Sequence, residues 1–178
     1  MYVSTRCATT DAGAYGESKL AAEVALKRLR WQSLLIIRPA EVYGGGGKEG
    51  IDQLIALSRG YHLTPMLFGH PNIRFAPLHI DDFVAMTSAL ILTHQEGVRE
   101  AELCGPEDLS GSALAWRIVR RFVAIPVPLW WPLLTLLLRA GWRLGINPAA
   151  PDQIQRLISE KRAPTTTASD RTLIRFLQ

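Results

Sequence analysis

The chain has 178 residues, 20 Lys and Arg against 16 Asp and Glu, a formal net charge of +4, 48% hydrophobic residues and two cysteines. That length can bury one good core, and the apolar and charged fractions are those of a soluble globular protein rather than a disordered or fibrous one. Cys7 and Cys104 stand far apart without a Cys-x-x-Cys or Cys/His cluster, which argues against a disulfide framework or a metal site and suits a reducing cytoplasm.

In chain order, the β-branched opening predicts a strand over residues 2–5, ending in the hydroxyl pair Ser4 and Thr5. After a polar loop a helix is predicted over residues 14–30. It places Lys19 one turn beyond Tyr15, so an ammonium can sit over a phenol. A phenol is almost wholly protonated at neutral pH, and a fixed positive charge beside it makes it a usable acid or base. The bland alternative is a solvated i,i+4 pair on a surface helix. Leu34-Leu-Ile-Ile-Arg-Pro39 is a continuous run closed by proline, which predicts a buried parallel strand over residues 33–38. Further on, the pattern predicts helix 50–59, strand 74–80, helix 81–93, strand 99–104 and helix 111–122. Ser110 stands as the N-cap of the last of these. The basic residues alternate with apolar ones (Lys27, Arg28, Arg30; Arg117, Arg120, Arg121) and read as solvated helix faces, not as a nucleic-acid footprint.

The ordered set of strand, hydroxyl, Tyr-x-x-x-Lys helix, buried strand and Arg38-Pro-x-x-Val-Tyr-Gly44 resembles the short-chain dehydrogenase/reductase superfamily, in its extended and atypical NAD-dependent epimerase/dehydratase branch. Pro77-Leu-His-Ile-Asp-Asp-Phe-Val-Ala85 is similar to that branch's second signature segment. The resemblance runs from residue 1 to about residue 122. It implies an α/β fold: part of a Rossmann-like, doubly wound parallel sheet with a small mixed substrate-side region. One unit over residues 1–178 is expected, with 1–48 as the remainder of the dinucleotide-binding sheet and 49–178 supplying later strands and the substrate-side helices.

Carried over position by position, the resemblance makes Tyr15 the general acid/base. Lys19 favours the phenolate and hydrogen-bonds the nicotinamide ribose, and Thr5 is the hydroxyl on the reacting oxygen, with Ser4 as the alternative. Adjacent strand residues face opposite ways, so only one of Ser4 and Thr5 can point at the site. Pro39, Ala40 and Val42 match the loop beside the nicotinamide ring, or are simply a strand-ending turn. The implied cofactor is NAD or NADP, the substrate is a small molecule, and no metal is implied. Asp82 matches a residue that caps the next helix, and His79 reads as a structural hydrogen-bonding group.

Departures from the pattern narrow this reading. The gap from Thr5 to Tyr15 is short, which is closer to the atypical group that includes the accessory nucleotide-binding subunit of respiratory complex I. Arg74 lies one position off the arginine that sugar-nucleotide enzymes place on a substrate phosphate. No Gly-x-x-Gly-x-x-Gly turn is present, although the superfamily's pyrophosphate site needs one. Gly44 to Gly47 come after the catalytic pair with the wrong spacing, and are expected to form a flap over the substrate. The expectation is therefore a chain that begins mid-sheet, with Met1 as an internal methionine, a misplaced start or the first residue of a split gene.

Residues 122–138 are uncharged, hold three prolines between 126 and 132, and are flanked by arginines. The prolines confine a helix to about residue 132 onward, too short to span a bilayer. Three readings remain open for residues 122–138: a core or substrate-pocket helix, a surface that docks on a membrane or a partner, and a true membrane segment. A peripheral membrane or protein contact through residues 122–143 and a homodimer are the partner expectations. Residues 147–158 and 165–178 resemble the family's last two helices. Two functions follow: an NAD(P)-dependent epimerase, dehydratase or reductase whose isolated chain is inactive for want of the glycine turn, or a non-catalytic accessory protein that keeps the fold for assembly. Either is expected in the cytoplasm or at the periphery of the inner membrane.

Overall fold

A computed structural model describes residues 1–47, 50–94, 96–143, 156–159 and 166–167 of the chain. At its centre lies β2 (Ser33–Pro39), parallel to β1 (Tyr2–Val3) on one side and to β7 (Gly97–Cys104) on the other. A short β10 (Thr166–Thr167) adds to the far edge of β7, giving a four-stranded parallel sheet. Helices cover both faces, which is the doubly wound arrangement expected of a strand that is apolar on both sides. On one face Leu35 and Ile37 pack with Ala101, Leu103, Leu78 and Leu90, under α3 (Ile80–Thr93).

The opposite face carries buried Leu34 and Ile36 and ends in a charged cluster. Arg38 is 2% exposed yet stands beneath α1 (Gly13–Arg28), where Glu23, 1% exposed, meets it. Arg38 Nε and Nη2 donate to the two Glu23 oxygens at 2.8 and 2.5 Å, Nη2 donates to Glu100 at 2.6 Å, and Nη1 donates to Glu102 at 3.3 Å. Lys27 completes the cluster on Glu100 at 2.5 Å. Parallel register makes this geometry inevitable, because Ile36 lies opposite Glu100 and Arg38 opposite Glu102.

Beyond the parallel sheet the chain is built of short pieces. β3 (Val42–Tyr43) pairs with β6 (Leu78–His79), β4 (Leu63–Phe68) with β9 (Ile125–Trp130), and β5 (Arg74–Phe75) antiparallel with β8 (Leu109–Ser110). α2 (Gly50–Tyr61) and α4 (Gly111–Phe122) pack around Tyr43, Ile51, Leu109, Leu114 and Ile118, and α5 (Trp131–Arg143) follows β9. Ser110 caps α4 as expected, its hydroxyl accepting from Ala113 N at 3.2 Å.

Three expectations are corrected. The strand expected over 74–80 is two strands in different sheets, separated at Ala76 and Pro77. There the chain presses on Gly105, where a Cβ would stand 1.6 Å from the Pro77 carbonyl oxygen. The helix expected over 81–93 begins at Ile80 and is capped by His79, not Asp82, with Asp81 N donating to His79 Nδ1 at 3.2 Å. The first strand stops at Val3, although Ser4 N still donates to Ile37 O at 2.7 Å. β4 and β9 were not expected, since Pro65, Pro126 and Pro128 interrupt them. Prolines two residues apart put both missing N–H groups on one edge, leaving the other edge of β9 free to bond β4.

Removing one partner of a buried ion pair strands the other. Arg38→Met should therefore cost about 3–5 kcal/mol in urea unfolding, and adding Glu23→Met should recover much of it; a single-variant cost below about 1 kcal/mol would show that the cluster is not stabilising. A pH dependence follows too. Burial alone would push the Glu100 carboxyl up, but hydrogen bonds and charges from Lys27 and Arg38 outweigh it and hold the group below its ordinary value. A depressed folded pKa gives stability that is present above the unfolded value and lost as pH falls through the folded one. The melting temperature should fall below about pH 4, and less steeply in Glu100→Gln, whereas identical slopes would assign the acid loss to other groups.

Candidate active site

Where β1 ends, the backbone coils tightly: Ala8 N donates to Thr5 O at 3.1 Å and Thr9 N to Cys7 O at 2.9 Å. Leaving strand geometry at this point lets Thr5 and Arg6, sequence neighbours, both reach one cavity, while Ser4 stays buried in the sheet. The Thr5 hydroxyl accepts from Cys7 N at 3.3 Å. α1 starts close by because Gly16 has no side chain; a Cβ there would stand 2.5 Å from both Cys7 O and Ala12 Cβ. Tyr15 thereby faces the same cavity as Thr5.

Lys19 lies one turn on and outside the cavity lining. Its ammonium is 5.8 Å from the Tyr15 ring centroid and 5.4 Å from that of Tyr2, and it donates to Val3 O at 3.3 Å. Beyond β2, Pro39, Ala40 and Val42 form the adjoining wall, fixed by Ala40 N donating to Leu103 O at 2.8 Å. The cavity has a volume of about 530 Å³, and Ile51, Leu54, Leu67, Phe75 and Leu114 give it apolar lining. The structure thus brings together Thr5, Tyr15, Pro39, Ala40 and Val42, with Lys19 behind the phenol.

Three charged neighbours were not foreseen. Arg6 and Glu41 line the cavity, and the Arg156 guanidinium stands 4.6 Å over the Tyr15 ring, on the face it shares with the cavity. Arg156 is 141 positions from Tyr15, and no local pattern could join them. The Arg156 carbonyl is also 3.9 Å from Cys7 Sγ. Of the expected C-terminal helices, only residues 156–159 and 166–167 fall within the described residues; 156–158 are helical, but 166–167 form the strand β10 beside β7 and not the start of a helix.

Other candidates are engaged elsewhere. Gly44 N and Gly47 N each donate to Asp52 at 2.8 Å, so this turn is tied to the first turn of α2 and does not hang over the cavity as a flap. Arg74 Nε holds Asp108 at 3.0 and 2.9 Å, outside the lining. His79 is buried edge-on against Tyr43 at 5.4 Å. Among the described residues no three His, Cys, Asp or Glu side chains are placed to hold a metal ion.

No family model and no curated protein matches the chain by sequence. Solved structures do resemble it. The dTDP-4-dehydrorhamnose reductase of Bacillus anthracis, solved with NADP, superposes with a TM-score of 0.61 at 18% identity, covering 88% of this chain and 63% of that one. The dTDP-glucose 4,6-dehydratase of the same organism, solved with NAD, gives 0.59 at 14% identity, covering 72% and 48%. A UDP-galactose 4-epimerase gives 0.54 at 17% identity, covering 88% and 60%. The chain has the fold of these enzymes. It spans less than two thirds of the length of each.

Cys104 closes β7 beside this site, where burial above all, with Glu41 nearby, pushes its thiol up to about 11 against the pull of Arg6. A buried, protonated thiol is a poor nucleophile. A disulfide reagent applied to the native chain at pH 8 should modify half-buried Cys7 well before Cys104; equal rates would mean that this end of the sheet opens readily.

Proposed function

We propose that the chain is the catalytic and substrate-side part of an NAD(P)-dependent epimerase, dehydratase or reductase that acts on a hydroxyl or carbonyl of a small molecule. The observation that carries the reading is the convergence of Thr5 and Tyr15 on one cavity, with the Lys19 ammonium held against the phenol ring. Tyr15 holds and transfers the proton of the reacting oxygen. Thr5, one hydroxyl away, orients that oxygen. Lys19 acts through the phenol, its charge favouring the phenolate in the transition state.

The wall of Pro39, Ala40 and Val42 is apolar and abuts Tyr15, which fits the nicotinamide end of the cofactor. When bound, that ring gives or takes the hydride. The pyrophosphate end has no such fit among the described residues, because the amides of Gly44 and Gly47 are already occupied by Asp52. A phosphate needs several free amides at a glycine turn or helix start. The cradle therefore belongs to sequence other than these residues, and the chain alone is inactive.

Titrated with NADH and NADPH, the 178-residue chain should bind with a Kd weaker than about 100 μM, well short of the micromolar range of a complete site. Submicromolar binding would overturn the division of the site. Fused behind a dinucleotide-binding half of this fold, it should turn over, and Tyr15→Phe should lower kcat by about 10²–10⁴ with KM little changed. Undiminished turnover would remove Tyr15 from catalysis.

A further inference from the structure

We propose that α5 and the adjoining end of β9 seat on the surface of an anionic lipid bilayer, with the helix lying in the membrane plane. Most amphipathic helices turn their apolar stripe inward. In α5 the stripe faces out: Leu133, Leu136 and Leu137, at i, i+3 and i+4, are 50 to 63% exposed, and Trp130 one turn earlier is exposed with them. The helix is anchored by Trp131 instead, 6% exposed and edge-on to His70 at 5.9 Å. The exposed strip continues onto the near end of the paired strands, where Trp130 lies opposite Phe68, both exposed; Ile125 and Leu63, paired at the far end, are exposed on the other face. An apolar surface of this extent marks a place of contact.

Charge identifies the occupant. From residue 109 to 151 the sequence has no Asp or Glu and carries Arg117, Arg120, Arg121, Arg139 and Arg143. Arg120 and Arg121 are exposed on the last turn of α4, beside Val123, and Arg139 and Arg143 fall in the last turns of α5. Arginines therefore flank the strip in sequence at both ends. Arg117 is already held by Glu107. A second copy docked through this face would bring the exposed Arg120 and Arg121 against a segment that has no carboxylate of its own, whereas anionic headgroups complement that charge. Tryptophan and leucine in the strip suit the headgroup and acyl boundary, the composition of an interfacial helix. Spanning is ruled out by length: 13 residues make a helix of about 20 Å against a hydrocarbon core of about 30 Å. Among the described residues no helix is long and apolar enough to cross a membrane.

The test is co-sedimentation of the full 178-residue chain with vesicles of phosphatidylcholine alone and of phosphatidylcholine with one third phosphatidylglycerol. Binding is expected to the second kind, with a blue shift of tryptophan emission, and should weaken as salt rises. Leu136→Ser with Leu137→Ser should reduce partitioning about tenfold or more. Both leucines are exposed, so circular dichroism and the melting temperature of this variant should match the parent. Arg120→Gln with Arg121→Gln should lower binding and flatten its salt dependence. Failure to bind phosphatidylglycerol vesicles overturns the proposal, as does full binding by the folded double-serine variant. Concentration-dependent dimerisation that the serines abolish, without vesicle binding, would assign the face to a second copy.

Discussion

Arg38 sits on the central strand of a sheet that could have been wholly apolar, and its three carboxylate partners come from two other elements, Glu23 from α1 and Glu100 and Glu102 from β7. That arrangement fixes how α1 lies on the sheet. Tyr15, Lys19, Glu23 and Lys27 follow one another at four-residue intervals, so they form a single ridge along the helix. The far half of the ridge is locked to the sheet by Glu23 on Arg38 and Lys27 on Glu100. The near half carries Tyr15 and Lys19, the pair proposed for proton transfer. Directional ion pairs two turns from Tyr15 thus add a fixed register to the apolar burial of Leu34 and Ile36 on that face, and Arg38 is the residue immediately before Pro39 in the cavity wall.

Much of the frame was legible in the sequence for simple reasons. The run ending at Pro39 needed only apolarity and a proline to be read as a buried strand, and Ser110 needed only its place before a helical pattern to be read as a cap. What was not legible depends on contacts across long separations. Arg38 looked like the end of an apolar run, because nothing local says that Glu23 and two strand carboxylates will converge on it. The same is true of Arg156, which reaches Tyr15 only once the chain has folded back. β4 and β9 escaped notice because their prolines argue against strands, and only the pairing of the two shows that the proline edge of β9 can face away. At 79, a histidine took the capping role that the following aspartates would ordinarily fill, since the break at Pro77 shifts the helix start upstream.

The cavity joins two kinds of wall. Thr5, Arg6, Tyr15, Glu41 and Arg156 supply its polar lining, while Ile51, Leu54, Leu67, Phe75 and Leu114 supply apolar lining. Ile51 and Leu114 are also members of the buried cluster around Tyr43 and Ile118. Side chains shared between a core and a cavity have their rotamers fixed by packing, so the apolar lining is a rigid shape rather than an adaptable one. Asp52 extends this order to the glycine turn: by accepting from Gly44 and Gly47 it holds the chain between β3 and α2 against the first turn of the helix that supplies Ile51 and Leu54.

Lys19 carries two duties that pull on one another. Its ammonium donates to the Val3 carbonyl at the exit of β1, the strand that delivers Thr5, and it also stands against the Tyr15 ring. One side chain therefore ties the hydroxyl-bearing strand end to the phenol-bearing helix, and in the proposed function it is also the charge beside the phenol. If the proposed function holds, a neutral replacement loses both at once, and a fall in rate could not be divided between charge and position. Arginine keeps the charge but brings a planar fork in place of a compact ammonium. The two roles separate on the carbonyl side instead: shortening or retwisting β1 at Val3 moves the anchor without touching the charge. The short β1, held by Ser4 N on Ile37 O and by Lys19 on Val3 O, thus helps set where Thr5 stands relative to Tyr15, and is not merely the edge of a sheet.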